Sequence, residues 1–526
     1  MDILKKLIIT AILSVFILPL KIYANEFRYS SMGDVNTLDP HAFDETMQLG
    51  YLGNIYDPLI SRNNKLMQME PALAVKWEMI NKNTWRFYLR KNVKFHNGNK
   101  FNADDVVFSM ERAAKSQVGY RVKGVSKFVA VDEYTVDMIS ESSMPFLINN
   151  FFYLYIMDKE WCIENNTSDP GGVDSKGEAY ADLNTNGTGA FKVIERTPNV
   201  KTVAVPNNDW WGEKRHNVSK AVFRPINSDS TRLAALLSGE LEMMYPVPMQ
   251  DIKRVKQSND LDVLTGAENR SIFLGLDVGR DELLYSNIKG KNPFKDQRVR
   301  KAFYQAINID AIIRTVMRGQ AVPAKSAGLS PSVSGYLHDI ERHPYDINAA
   351  KSLLNEAGYP DGFDVTLDCP NDRYVNDEEV CQALVSMLGK ININVTLNAQ
   401  TKSKHFGQIG PGGGYNSSFA LVGFGPGNFD GSSIQALLLN CRTKETGTWN
   451  FSNHCNPLLD EMYKILVSET NSIIRDPIQK MVWTYMHNEI PYIPLHLQTL
   501  AWGVKNGVKL MIRADNVVSL NEVVVN

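Results

Sequence analysis

Nothing in this 526-residue chain has the spacing of a catalytic or nucleotide-binding motif. There is no H-E-x-x-H, no G-x-S-x-G and no P-loop. The glycine-rich stretch Asn186-Gly187-Thr188-Gly189-Ala190-Phe191 has neither a following Lys-Ser/Thr nor G-x-G-x-x-G spacing, so it reads as a turn into a strand. The nine histidines are scattered, and His338 and His343 miss the i, i+4 spacing that puts two imidazoles on one helix face. The adjacent acids Asp104-Asp105 and Glu378-Glu379 do not face one another on a helix and read as caps or solvated faces. A formal net charge of −2 offers nothing to nucleic acid or anionic lipid. Past the N-terminus no apolar run approaches the ~20 residues that span a bilayer.

Cysteine is also scarce, with five in the chain: Cys162, Cys369, Cys381, Cys441 and Cys455. Pairing 369 with 381 and 441 with 455 would close two short loops, each contributing about 3 kcal/mol by loop entropy, and would leave Cys162 as the odd thiol. The count allows other pairings, and Cys441, His454 and Cys455 invite a zinc reading that no C-x2-C pair supports. The redox setting follows from the N-terminus. Lys5 and Lys6 precede an apolar run from Leu7 to Leu20, and Ile22-Tyr23-Ala24 ends in a small residue. This is a secretory signal with cleavage expected after Ala24, and no Cys follows it to take a lipid anchor. An exported protein of the periplasm, free to form disulfides, is the expectation.

What the chain does have is length enough for two or three domains and an α/β alternation. The clearest unit is Trp85 to Arg112. Trp85, Phe87 and Leu89 alternate with Arg86, Tyr88 and Arg90 as in a half-buried strand, and His96-Asn97-Gly98 is a turn. Asn102 can cap a following helix, with Asp105 in its first turn. Elsewhere the pattern predicts helices over 43–59, 231–237, 293–306, 345–358, 378–390, 457–468 and 475–488. Pro71 reads as a helix start, and strands are expected over 270–275, 363–367, 393–397 and 418–427.

The string TWRFYLRKNVKFHNGNKFNADDVVFSMER closely resembles the signature of the family 5 solute-binding proteins, the extracytoplasmic subunits of ABC importers. NIYDPLISRN, VPNNDWWGEK, RPINSDSTRLAALLSGELEMMYPVP and YDINAAKSLLNEAGYPDGF extend the resemblance over most of the chain. It implies an α/β, two-lobed periplasmic binding protein of the type II, Venus-flytrap kind, with an extra domain inserted in lobe I. Carried onto this chain, lobe I comprises 25–57, 187–268 and 498–526, the inserted domain 58–186, and lobe II 269–497.

The implied function is capture of a di- to oligopeptide or peptide-like solute between the lobes. The implied partners are that ligand and ABC permease subunits in the inner membrane; a monomer with no cofactor and no nucleic acid is expected. Closure follows because a ligand touching both lobes binds the closed form better. CPNDRYVNDEEVC (369–381) resembles the place where dipeptide-binding relatives set an arginine on the ligand carboxylate, which puts Arg373 there. In GFGPGNFDGSS (423–433), Phe424 stands for the relatives' tryptophan, and Gly427 falls where their amine-holding aspartate would be. Asp430 is the nearest acid. Met32, Asp34 and Tyr245 are expected at strand ends bordering the cleft. The missing aspartate leaves longer peptides, glutathione or haem open as ligands. The rivals are an exported hydrolase on a similar scaffold and a sensor that feeds a signalling partner.

Overall fold

The computed structural model describes residues 25–65, 67–171, 179–469 and 471–526. The export signal expected at 1–24 lies outside the described residues, as does 172–178 of the polar connection before Gly187. The chain enters through β1 (Glu26–Ser30) and makes a short ribbon of β2 (Ile60–Arg62) and β3 (Met69–Pro71). A meander follows: β4 (Ala74–Asn81), β5 (Thr84–Leu89), β6 (Val125–Asp132) and β7 (Thr135–Ser140). Next come β8 (Phe191–Thr197), β9 (Lys201–Pro206), β10 (Lys220–Phe223), β11 (Met243–Met244) and the long β12 (Leu261–Leu276). Then β13 (Ala321–Pro323), β14 (Phe363–Pro370), β15 (Ile393–Gln400) and β16 (Phe419–Phe424) alternate with helices before β17 (Tyr492–Lys505).

One large mixed sheet runs in the order β15-β14-β16-β12-β17-β11-β1-β10-β9-β8, with β13 beside β17. Its two halves are joined by β12 and β17, each of which runs through both. Leu261–Ala267 pair with residues 499–505, and Ser271 onward pairs with residues 492–497. Between them Glu268, Asn269 and Arg270 stand opposite Gln498 alone. This is a bulge, where extra residues on one strand interrupt the ladder and bend it. The polar triplet marks that bend in a strand whose last six residues, Ser271 to Leu276, are all buried.

The meander forms a separate antiparallel sheet, β4-β5-β7-β6, with its own core. Alternation on β5 buries Phe87, which meets Phe151 at 5.7 Å. Val106 and Met110 cover the same face from the helix Ala103–Ala114. That helix starts as its sequence asks: the Asn102 side chain accepts from Asp104 N–H (2.7 Å), and Asp105 accepts from Asn102 N–H (2.9 Å). The aromatic run Phe151 to Tyr155 is buried throughout. At its entry the domain is tied to the β1 half by an enclosed ion pair, Arg112 with Asp39 at 2.6 and 2.8 Å.

Several expected elements differ. The helix expected over 43–59 spans only Thr46–Leu52, because Glu45 caps it and Gly53 ends it. Beyond, the Ile55 carbonyl accepts from Gly189 N–H, and a Cβ at Gly187 or Gly189 would collide with the Ile55 backbone. Pro71 starts no helix; it closes β3 opposite Ile60. Pro293–Lys295 is a separate turn, and Asp296 caps the helix Gln297–Ala306. The strand expected at 270–275 is the far part of a strand of 16 residues.

Candidate functional site

The bulge, the loop after β14 and the end of β16 come together. Cys369, at the end of β14, is joined to Cys381 in the helix Asp377–Gly389, with the Cα atoms 6.6 Å apart. Between them the chain turns around Asp377, whose carboxylate accepts the N–H groups of Arg373 and Tyr374, both at 2.9 Å. Burial holds the Asp377 carboxyl above its ordinary range, against the pull of these N–H groups. Tyr374 is buried, and its hydroxyl clasps the Gly423 peptide, accepting from N–H at 2.8 Å and donating to C=O at 3.2 Å. Val375 N–H donates to Gln498 Oε1 (3.2 Å), and Gln498 Nε2 donates to Glu268 Oε2 (2.7 Å). Arg270 approaches Glu268 at 3.4 Å.

Arg373 therefore stands on a loop fastened on three sides, one residue from the tyrosine that holds β16. Its own side chain is exposed. The guanidinium lies 5.2 Å from the Tyr374 ring centre, and among the described residues no carboxylate pairs with it. A fixed backbone carrying an unpaired guanidinium is suited to a ligand carboxylate, which the planar fork can meet with two parallel hydrogen bonds. Phe424 ends β16 opposite Ser271, half-buried, with Trp449 at 6.5 Å between ring centres. Gly425 follows where nothing larger fits, since a Cβ would lie 1.4 Å from the Asn269 carbonyl oxygen. Asn269 Nδ2 donates to the Pro426 carbonyl at 2.8 Å, which ties the bulge to this loop.

The acids expected in the cleft are occupied elsewhere. Asp430 is 4% exposed and accepts two bonds from Arg475 Nη2, both at 2.8 Å. It also accepts from Asn149 Nδ2 (3.1 Å) and from Ser432 N–H (2.8 Å), capping a short helix. All its near lone pairs are used, so it ties the meander domain to the β16 half. Asp34 is likewise buried, with Arg196 at 2.8 Å and Asn199 N–H at 2.6 Å. Met32, after β1, is 54% exposed. Tyr245 is buried 5.5 Å from Trp502, and burial pushes its phenol pKa up.

Cys441 is joined to Cys455, which consumes the thiolates a zinc site would have needed. Cys162 is buried as a free thiol, its pKa raised by burial to about 12. Among the described residues no group of His, Cys, Asp or Glu is arranged to hold a metal. Glu268, Arg270 and Gln498 were not singled out from sequence. The sequence signal was the run Glu-Asn-Arg set directly before the buried stretch Ser271 to Leu276.

Two α/β halves that share a sheet through two crossing strands, with a further antiparallel domain on one side, define a type II periplasmic binding protein fold. The chain belongs to the bacterial extracellular solute-binding proteins, family 5, whose model (described as "family 5 Middle") matches residues 68–445. It is 27% identical over 517 residues to the dipeptide-binding protein of Escherichia coli K12, covering 93% of this chain and 92% of that protein. It is 25% identical to heme-binding protein A of Haemophilus influenzae, covering 84% and 81% of the two chains. Among solved structures, the Helicobacter pylori periplasmic binding protein DppA in complex with the peptide STSA superposes with a TM-score of 0.69. That match has 24% identity and covers 95% of this chain and 98% of the other. No helix among the described residues is long and apolar enough to cross a membrane.

Proposed function

We propose that this chain is the substrate-binding component of an ABC importer, exported by cleavage after Ala24, and that it works as a monomer without catalysis. It captures a peptide or peptide-like solute between the two halves of the large sheet and delivers it to a membrane permease. In this reading lobe I is 25–57, 187–268 and 498–526, lobe II is 269–497, and 58–186 is the inserted domain. Glu268–Arg270 and Gln498 are the hinge. A ligand contacting both lobes stabilises the closed arrangement by its differential affinity.

The observation that carries the reading is Arg373: exposed, free of any carboxylate partner among the described residues, and held beside the hinge by Asp377, Tyr374 and the 369–381 disulfide. It takes the ligand carboxylate. Phe424, Met32 and Tyr245 border the cleft in this reading. Asp430 and Asp34 drop out of the ligand set, because their oxygens are already satisfied. Gly427 supplies no acid. Glu268 is the acid on the Arg373 side of the bulge and takes over the α-amine, exchanging its bond to Gln498.

Native mass spectrometry of the protein purified from periplasm, with release of what it carries, tests the reading. Peptides are the expected cargo, their lengths reporting how the shifted acid is used. Glutathione or haem as sole cargo would keep the transport role and overturn the peptide one.

A further inference from the structure

A cavity of about 680 Å³ lies between the meander domain and the β16 half. It is bounded by residues beyond Phe424 on the loop after β16, not by Arg373. Its volume falls within the ~300–1,000 Å³ of small-molecule sites. Met69, Trp85, Phe146 and Ile148 form one wall; Val333 and Phe429 form the other. Three of these six are aromatic, which suits a flat apolar guest.

Arg62 stands in the same lining and is only 7% exposed. Its Nη1 and Nη2 donate to the carbonyls of Met67 and Asn428, both at 2.6 Å, and its Nε has no partner. The ring centres of Phe429 and Phe152 lie 5.2 and 5.8 Å from the guanidinium. The acids nearest in charge are already matched: Asp430 by Arg475, and Asp515 by Arg513 at 2.7 Å. Among the described residues, three guanidiniums and two carboxylates leave one buried positive charge without a counter-ion. Burial lowers the Arg62 pKa to about 10. An enclosed charge that only carbonyl groups satisfy is costly unless an anion joins it.

We propose that this cavity is a second binding compartment, taking a flat apolar body that bears one carboxylate, with Arg62 as its counter-charge. The aromatic walls hold the body and Arg62 holds the acid. The compartment does not depend on what occupies the cleft at Arg373.

Fluorescence titration of the full chain with 1-pyrenebutyrate tests this, with the neutral 1-pyrenebutanol as control. Micromolar binding of the acid is expected, with the alcohol at least tenfold weaker. Arg62→Gln should abolish that preference. Ser332→Trp, which puts a bulky side chain into the cavity lining while leaving the Arg62 residue unaltered, should weaken both probes at least tenfold. Circular dichroism melting shows whether each variant is folded; if Arg62→Gln is not, Ser332→Trp decides. Arg373→Ala should leave pyrenebutyrate affinity unchanged. Equal affinity for acid and alcohol, retained binding in Ser332→Trp, loss of binding in Arg373→Ala, or no binding at millimolar probe would each overturn the proposal. Of these results only loss of binding in Arg373→Ala bears on capture at Arg373; the others leave it untouched.

Discussion

Arg373 and Arg475 belong to the same half of the molecule, and their surroundings are opposite. Arg475 lies inside, stacked on Phe146 at 4.1 Å; its Nη2 donates to both oxygens of Asp430, and its Nε donates to the Leu466 carbonyl at 3.2 Å. Arg373 lies outside, its backbone fixed and its guanidinium unmatched. The first is spent on joining two domains. The second stands, among the described residues, without a carboxylate partner on a loop bonded to the bulge strand pair. The difference is one of pairing: the same residue type is matched by a buried carboxylate in one place and, among the described residues, by none in the other.

The largest effect on folding is expected at the inner pair. Arg475→Ala strands the buried Asp430 carboxylate and should cost about 3–5 kcal/mol of stability, read by urea denaturation. Replacing both partners by apolar residues, Asp430→Leu with Arg475→Met, should recover most of that loss, since two desolvated charges are removed together. If the single and double variants were equally unstable, the pair would not be the main tie between these domains.

The disulfide beside Arg373 comes next. Cys369→Ser with Cys381→Ser should lower stability by about 2–4 kcal/mol. Because the bond fastens the Arg373 loop, ligand affinity should fall as well. A stability loss with unchanged affinity would separate the disulfide from the site.

Acid should act on the scaffold behind β16 in a known direction. His405 is buried, its Nε2 3.0 Å from the Leu421 carbonyl oxygen, and burial lowers its pKa to about 4. The unfolded chain takes up a proton near pH 6.5 that the folded chain refuses. The stability conferred by the neutral ring is thus complete above about pH 6.5 and is lost as pH falls towards 4. His405→Gln should flatten this part of the stability–pH curve measured by denaturation. A curve of unchanged slope would show that His405 is not depressed.

The smallest effect on folding is expected at Arg373 itself, where Ala should change stability by less than about 0.5 kcal/mol.

The parts of the molecule legible in its sequence are those decided locally. Asn102 and Asp105 specify the start of their helix without help from elsewhere, and the alternation from Trp85 to Leu89 gives β5. What failed was decided at a distance. Ile55 and Tyr56 fit a helical pattern with the residues before them, but Gly187 and Gly189, far along the chain, pin that backbone in another path. Pro71 looks like a helix start, yet pairing with Ile60 makes it the end of a strand.

The site divides in the same way. The Arg373 loop reads well because its two cysteines and Asp377 lie within a dozen residues of one another. Asp430 misleads because its partners, Arg475 and Asn149, come from other elements. The ring of Glu268, Gln498 and Val375 joins three distant segments, and only the Glu-Asn-Arg run marks it locally.

The most direct test of the central claim is calorimetric titration of Arg373→Ala, alongside the unaltered protein, with the peptide released from it. The variant is expected to melt like the parent and to bind about 2–5 kcal/mol more weakly, the cost of leaving a carboxylate unpaired in the cleft. Unchanged affinity in a folded variant would remove Arg373 from the site and with it the reading of this hinge-side surface as the place of capture.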